Sequence, residues 1–118
     1  TSQVKTNNIL IDTYKDNVIP NVPIRFQELA KSYYSSKQVL ELYKCVENTT
    51  RYLTYKNEHD KEQLAITSFR QMIVNIKLGY KIKKSIFSYY YGILQRKLDK
   101  EYRELTLSVI WGFTYIKI

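Results

Sequence analysis

Three glycines and two prolines are all that this chain of 118 residues has for making sharp reversals. A sandwich or barrel needs a turn roughly every 8–12 residues, most of them built on Gly, Pro or Asn. The scarcity of such residues predicts an all-α fold. Hydrophobic residues make up 44% of the chain and charged residues 25%. That is enough apolar surface for one core and one compact domain, which excludes intrinsic disorder as the main state.

The apolar spacing divides the chain into about four to five helices forming a compact bundle. Residues 1–20 read as a flexible lead-in, and residues 21–118 as a single helical domain. Pro20-Asn21-Val22-Pro23 disfavours helix before it, and Pro23 fits the first position of a helix over Ile24 to Tyr34. Phe26, Leu29, Ala30 and Tyr33 give that helix one apolar face. Ser35 and Gln38 have the capping-box spacing, so a second helix is expected from Ser35 to about Tyr55, with Val39, Leu42, Val46 and Leu53 in one stripe. Lys56-Asn57-Glu58-His59 reads as a turn before a third helix opened by Asp60, which Gly79 ends by taking the left-handed conformation. A fourth helix is expected from Ser85, with Tyr90, Leu94 and Leu98 on its apolar face. Gly92 inside it often marks a place where another helix approaches closely. From Asp99 onward the sequence either continues this helix or begins a fifth, and residues 111–118 either fold back or join another molecule.

Several classes of function fall away. One cysteine, Cys45, and one histidine, His59, offer neither an internal disulfide nor a Cys/His metal set, and a cytoplasmic setting is expected. Cys45 reads as a packing residue. The longest uncharged stretch, Leu105 to Ile116, is too short for the ~20 residues of a membrane span. Glycines at 79, 92 and 112 form no phosphate loop. Glu58 with Asp60 or Glu62 sits where carboxylates complement a helix dipole. The expectation is a protein without catalytic residues, metal or cofactor.

Charge is where the sequence points outward. The net charge is +8, and residues 70–103 carry nine Lys/Arg against Asp99 and Glu101, while the rest of the chain is nearly balanced. Such concentration suits an acidic partner or a polyanion. The candidate contact residues are Lys77, Tyr80, Lys81, Lys83, Lys84, Arg96, Lys97, Lys100 and Arg103. The other tyrosines are read as products of an A/T-rich coding sequence, since Ile, Lys and Asn are abundant alongside them.

The run Phe87-Ser88-Tyr89-Tyr90-Tyr91-Gly92-Ile93-Leu94-Gln95-Arg96-Lys97-Leu98 resembles the C-terminal domain of RepA-type plasmid replication initiators from low-GC Gram-positive bacteria, in particular staphylococci. The likeness continues at Ala65-Ile66-Thr67-Ser68-Phe69-Arg70, at Val22-Pro23-Ile24-Arg25-Phe26 and at the pair Tyr33-Tyr34, spanning roughly residues 20 to 100. Those domains are in turn similar to the C-terminal domain of the primosome protein DnaD. The resemblance implies a DnaD-like helical bundle and a role in plasmid replication. It would couple an initiator, bound to the origin through its own N-terminal domain, to host primase or to the replicative helicase or its loader. A first residue of Thr1 fits a piece of such a longer initiator. Tyr89 and Ile93 match the first half of the DnaD signature Tyr-x-x-x-Ile-x-x-x-Trp, and Lys97 stands where Trp would be. Direct nucleic-acid binding through the basic segment 77–103 is the alternative expectation.

Overall fold

The computed structural model describes residues 18–54 and 56–110, in which four helices follow one another. They are α1 (Ile24–Ala30), α2 (Ser36–Thr50), α3 (Glu58–Lys77) and α4 (Ile86–Ile110), and no strand occurs among the described residues. The fold is an all-α bundle: α2 and α3 both pack along α4, α1 lies across α3, and α2 also touches α3. Each helix sends one aromatic ring to the centre. Phe26 of α1 meets Tyr43 of α2, Phe69 of α3 and Tyr90 of α4 at centroid distances of 5.4, 5.9 and 6.4 Å. Tilted, edge-on and stacked pairs of this kind add to the burial of four large side chains. Tyr90 is fully buried and donates its hydroxyl to the Ala65 carbonyl at 2.7 Å, so burial leaves its oxygen partnered.

The chain enters α1 through a tight turn. Pro20 and Asn21 stand in the order of a type II turn, Asn21 takes φ 65°, and the Val22 N–H donates to the Ile19 carbonyl at 3.4 Å. Pro23 is the N-cap, one place before the position expected for it, and α1 ends at Ala30, not Tyr34. Its last residues unwind into a turn that lets Tyr33 and Tyr34 both lie against Phe69, at 5.8 and 5.9 Å. The buried Gln27 fixes this entry. Its side chain accepts from the Ile19 N–H at 2.8 Å and donates to the carbonyls of Ile19 (3.2 Å) and Val22 (2.7 Å). Ile19, assigned from sequence to the lead-in, is therefore a core residue.

The Ser35 capping box forms as expected: the Ser35 hydroxyl accepts from the Gln38 N–H at 3.2 Å, and the Gln38 carbonyl oxygen accepts from the Ser35 N–H at 3.0 Å. Helix α2 stops at Thr50 instead of continuing to Tyr55. The hydroxyls of Thr49 and Thr50 bond back to the carbonyls of Cys45 and Val46, the local competition with the helix ladder that β-branched hydroxyl residues bring. The start of α3 also differs. Asn57, not Asp60, is the cap, accepting from the Asp60 N–H at 2.8 Å. His59 thus lies in the first helical turn, and Glu58 and Asp60 face the positive end of the dipole.

Helix α4 resolves the choice left open at Asp99: it runs unbroken for 25 residues. Leu98 is its last buried residue, and every residue from Tyr102 to Ile110 is exposed, so the helix extends past the bundle. The two alternatives for residues 111–118, and the polar start at residues 1–8, lie outside the described residues.

A basic aromatic groove as candidate binding site

The end of α3 determines where the basic connector goes. Leu78 is the C-cap and Gly79 follows at φ 107°, a conformation open to glycine and costly to other residues. The Gly79 N–H bonds to the Ile76 carbonyl and the Tyr80 N–H to the Asn75 carbonyl, both at 3.0 Å, which is the Schellman arrangement. This closure turns Tyr80 back onto α4. Its ring stacks on Tyr89 at 4.4 Å with 9° between planes. Tyr89 is fixed from its other end: Gln71 donates to the Asn75 side chain at 2.8 Å, and Asn75 donates to the Tyr89 hydroxyl at 2.8 Å.

Between the connector and α4 lies a groove of about 510 Å³. Tyr80, Lys83, Lys84 and Ser85 border it from the connector; Ser88, Tyr89, Gly92 and Arg96 come from α4 and Asn75 from α3. The α4 residues share one face by helical period. Ser85 caps the helix, its hydroxyl accepting from the Ser88 N–H at 3.1 Å, so the positive end of the α4 dipole also faces the groove. Lys83, Lys84 and Arg96 form no ion pair among the described residues. The result is a recess with a flat aromatic wall and three uncompensated cations, suited chemically to an anionic group carried on a flat or apolar body.

The nine basic-segment candidates do not form one surface. Tyr80, Lys83, Lys84 and Arg96 meet in the groove. Lys81 is exposed on the connector beside it, and Arg103 lies two turns beyond Arg96 on the same helix face. Lys77 is directed elsewhere, its ammonium 5.5 Å from the Tyr33 ring centre. Lys97 and Lys100 line a separate depression with Asp60, Glu101 and Glu104, where charges of both signs offset one another. There Lys56 donates to Glu101 at 2.6 Å, tying the α2–α3 connection to α4. The sequence candidates omitted Asn75, Ile82, Ser85, Ser88, Tyr89 and Gly92 of this lining; the spacing 85, 88, 92, 96 on one helix stripe was the signal that could have found Ser85, Ser88 and Gly92.

Gly92 has a different role from the one expected. A Cβ built there would meet nothing closer than the Arg96 guanidinium at 3.6 Å, so no neighbouring helix depends on this glycine for its approach. It forms instead part of the groove lining. Cys45 is half-buried, with its thiol 3.9 Å from the Phe87 carbonyl. Burial pushes its thiol up, with Glu41 adding to the effect, the reverse of what an activated nucleophile needs. Among the described residues no cluster of three His, Cys, Asp or Glu could hold a metal ion, and no helix is long and apolar enough to cross a membrane.

Comparison of the chain with known protein families, with curated proteins and with solved structures gives no match.

Proposed function

We propose that this chain is an interaction domain in plasmid replication initiation, coupling an origin-bound initiator to a host primosome protein, with primase the first partner to test and the replicative helicase or its loader next. The resemblance to RepA-type initiators supplies the biological setting. The observation that carries the reading is the groove: Lys83, Lys84 and Arg96, unpaired and gathered around a rigid aromatic wall, give an acidic protein surface a defined place to dock. Its test is an anisotropy titration of the fluorescently labelled chain with purified host primase, with a single-stranded oligonucleotide titrated in parallel at the same salt. Saturable primase binding, weakened about tenfold or more by the K83E/K84E/R96E triple variant, is expected. Absence of binding to correctly folded primase, helicase and loader would refute it.

The Tyr80–Tyr89 stack favours one second reading, an accessory nucleic-acid-binding domain. Stacked tyrosines beside lysines suit single strands, in which each base offers a face and each phosphate a charge. This reading predicts DNA affinity that falls steeply with salt and weakens alike for all sequences when Lys83 and Lys84 are reversed. Weak binding at low salt would refute it.

A further inference from the structure

Helix α4 outlasts the bundle that supports it. Its apolar side is buried through Leu94 and Leu98, and the same side then carries Tyr102, Leu105 and Val109, which are 65%, 46% and 83% exposed. Tyr102, Leu105, Thr106 and Val109 stand at i, i+3, i+4 and i+7, one continuous stripe over two turns. Thr106 does not interrupt it, because its hydroxyl donates to the Tyr102 carbonyl of its own helix at 2.9 Å and needs no outside partner. Little else holds these turns helical. Thr106, Ser108, Val109 and Ile110 are middling helix formers, and neither Arg103 nor Glu104 makes an ion pair with another described residue. A helix end of this composition draws its stability from a covered apolar face.

Charge selects what covers it. The chain has a net charge of +8, so two copies repel each other over much of their surface. Residues 102–110 carry only Arg103 and Glu104, which cancel, and both stand off the stripe by helical period. A strongly charged partner, acidic or basic, finds nothing on this stripe to pair with, whereas an identical stripe matches it in length and polarity through a two-fold axis. An antiparallel pairing sets Leu105 of both copies near the axis and Tyr102 of each against Val109 of the other, since these two flank Leu105 almost evenly. It also sends the two positive bodies to opposite ends, where a parallel pairing would hold them side by side. Two turns from each copy bury less than the roughly 1,200–2,000 Å² of a stable interface, so such a pair forms and separates with concentration.

We propose that the chain pairs with a second copy of itself through this helix end, antiparallel, with Tyr102, Leu105 and Val109 of each copy dehydrated against those of the other. The dimer stands on α4 alone and holds whether or not the basic groove takes an acidic partner. Its two grooves lie on separate bodies, and a partner with two acidic faces gains from engaging both. In dilute solution the chain is monomeric, and the stripe then adds little to its stability.

Sedimentation velocity of the full 118-residue chain from about 1 µM to 1 mM tests this, with a monomer expected at the low end and a dimer forming with a midpoint of about 10–100 µM. Raising salt from about 0.05 to 0.5 M should tighten the dimer by screening the repulsion between the two bodies. L105E and V109E change exposed positions, so circular dichroism should show the fold intact while the midpoint rises about tenfold or more. L107E is the control: it adds the same charge on the opposite side of the helix and should leave the midpoint within about threefold. For the orientation, an equimolar mixture of Y102C and V109C, oxidised and read by mass spectrometry, should give the mixed disulfide in excess over either self-pair. A monomer throughout the range, as when another segment of the chain or a different partner covers the stripe, overturns the proposal. So does a dimer that weakens with salt, L107E acting as strongly as L105E, or an excess of self-paired disulfides.

Discussion

Gln27, Gly79 and Gly92 show how differently single residues can matter in a bundle this size. Gln27 bonds to three backbone groups of the entry turn, of which the Ile19 carbonyl has a second donor in the Val22 N–H, and replacing it with Leu removes all three bonds. Q27L is expected to cost about 2–4 kcal/mol by urea denaturation, and amide exchange at Ile19 should rise with it. The two glycines should respond in opposite directions. G79A forces a side chain into φ 107° and should destabilise by about 1–2 kcal/mol, although there is open space around it. G92A places a methyl in ordinary contact with Arg96 inside a helix and should stabilise by about 0.5–1 kcal/mol. A thermal melt of each variant checks the pair. Gly79 was legible in the sequence because a helix must stop somewhere and glycine is the residue that stops it. Gln27 was not, because a polar residue on a short amphipathic helix gives no sign that a preceding turn will fold over it.

Among the helices, α4 divides sharply in two. Up to Leu98 its apolar face is in the core; from Tyr102 to Ile110 the same kind of side chains meet solvent. Leu98→Ala should therefore cost about 2–4 kcal/mol, whereas Leu105→Ala and Val109→Ala should each change stability by less than about 0.5 kcal/mol. Guanidinium unfolding of the three variants distinguishes them; a large loss at Val109 would mean that this end of the helix is covered in solution. The helix boundaries tell a related story. Ser35 was readable as a cap because its partner Gln38 is only three residues away, and S35A is expected to lose about 1 kcal/mol. The start of α3 was read at Asp60 because the polar run Lys56 to His59 has the composition of a turn, whereas Asn57 inside that run caps the helix. The end of α2 was overestimated because Leu53 continues the apolar stripe while the backbone has already been diverted at Thr49 and Thr50.

At the scale of the whole molecule, the four-ring cluster makes the fold sensitive to alkali. In the folded state burial raises Tyr90 well above its ordinary value, and burial with neighbouring carboxylates raises Tyr43. Both start from 10.0 when unfolded, so above that pH the unfolded chain loses protons that the folded chain retains. Stability should be unaffected by these groups below about pH 9 and fall once pH rises through 10, toward the raised folded values. Urea midpoints at pH 8, 10 and 11 measure this, and Y43F should show a shallower fall. Composition and period determined that the fold is helical, with about four to five helices expected where four are described, and that Tyr90, Leu94 and Leu98 are core, because a 3.6-residue repeat of apolar side chains has no other economical burial. They also located the positive charge. They could not sort it, since neighbours in sequence such as Arg96 and Lys97 point to different faces of one helix. Only the tertiary structure decided that four of the nine candidates share a groove, that Lys97 and Lys100 lie beside carboxylates, and that Tyr43 is buried with its hydroxyl unpartnered. Each of those depends on which helix lies across from which, and contacts between residues far apart along the chain are set by packing rather than by local pattern.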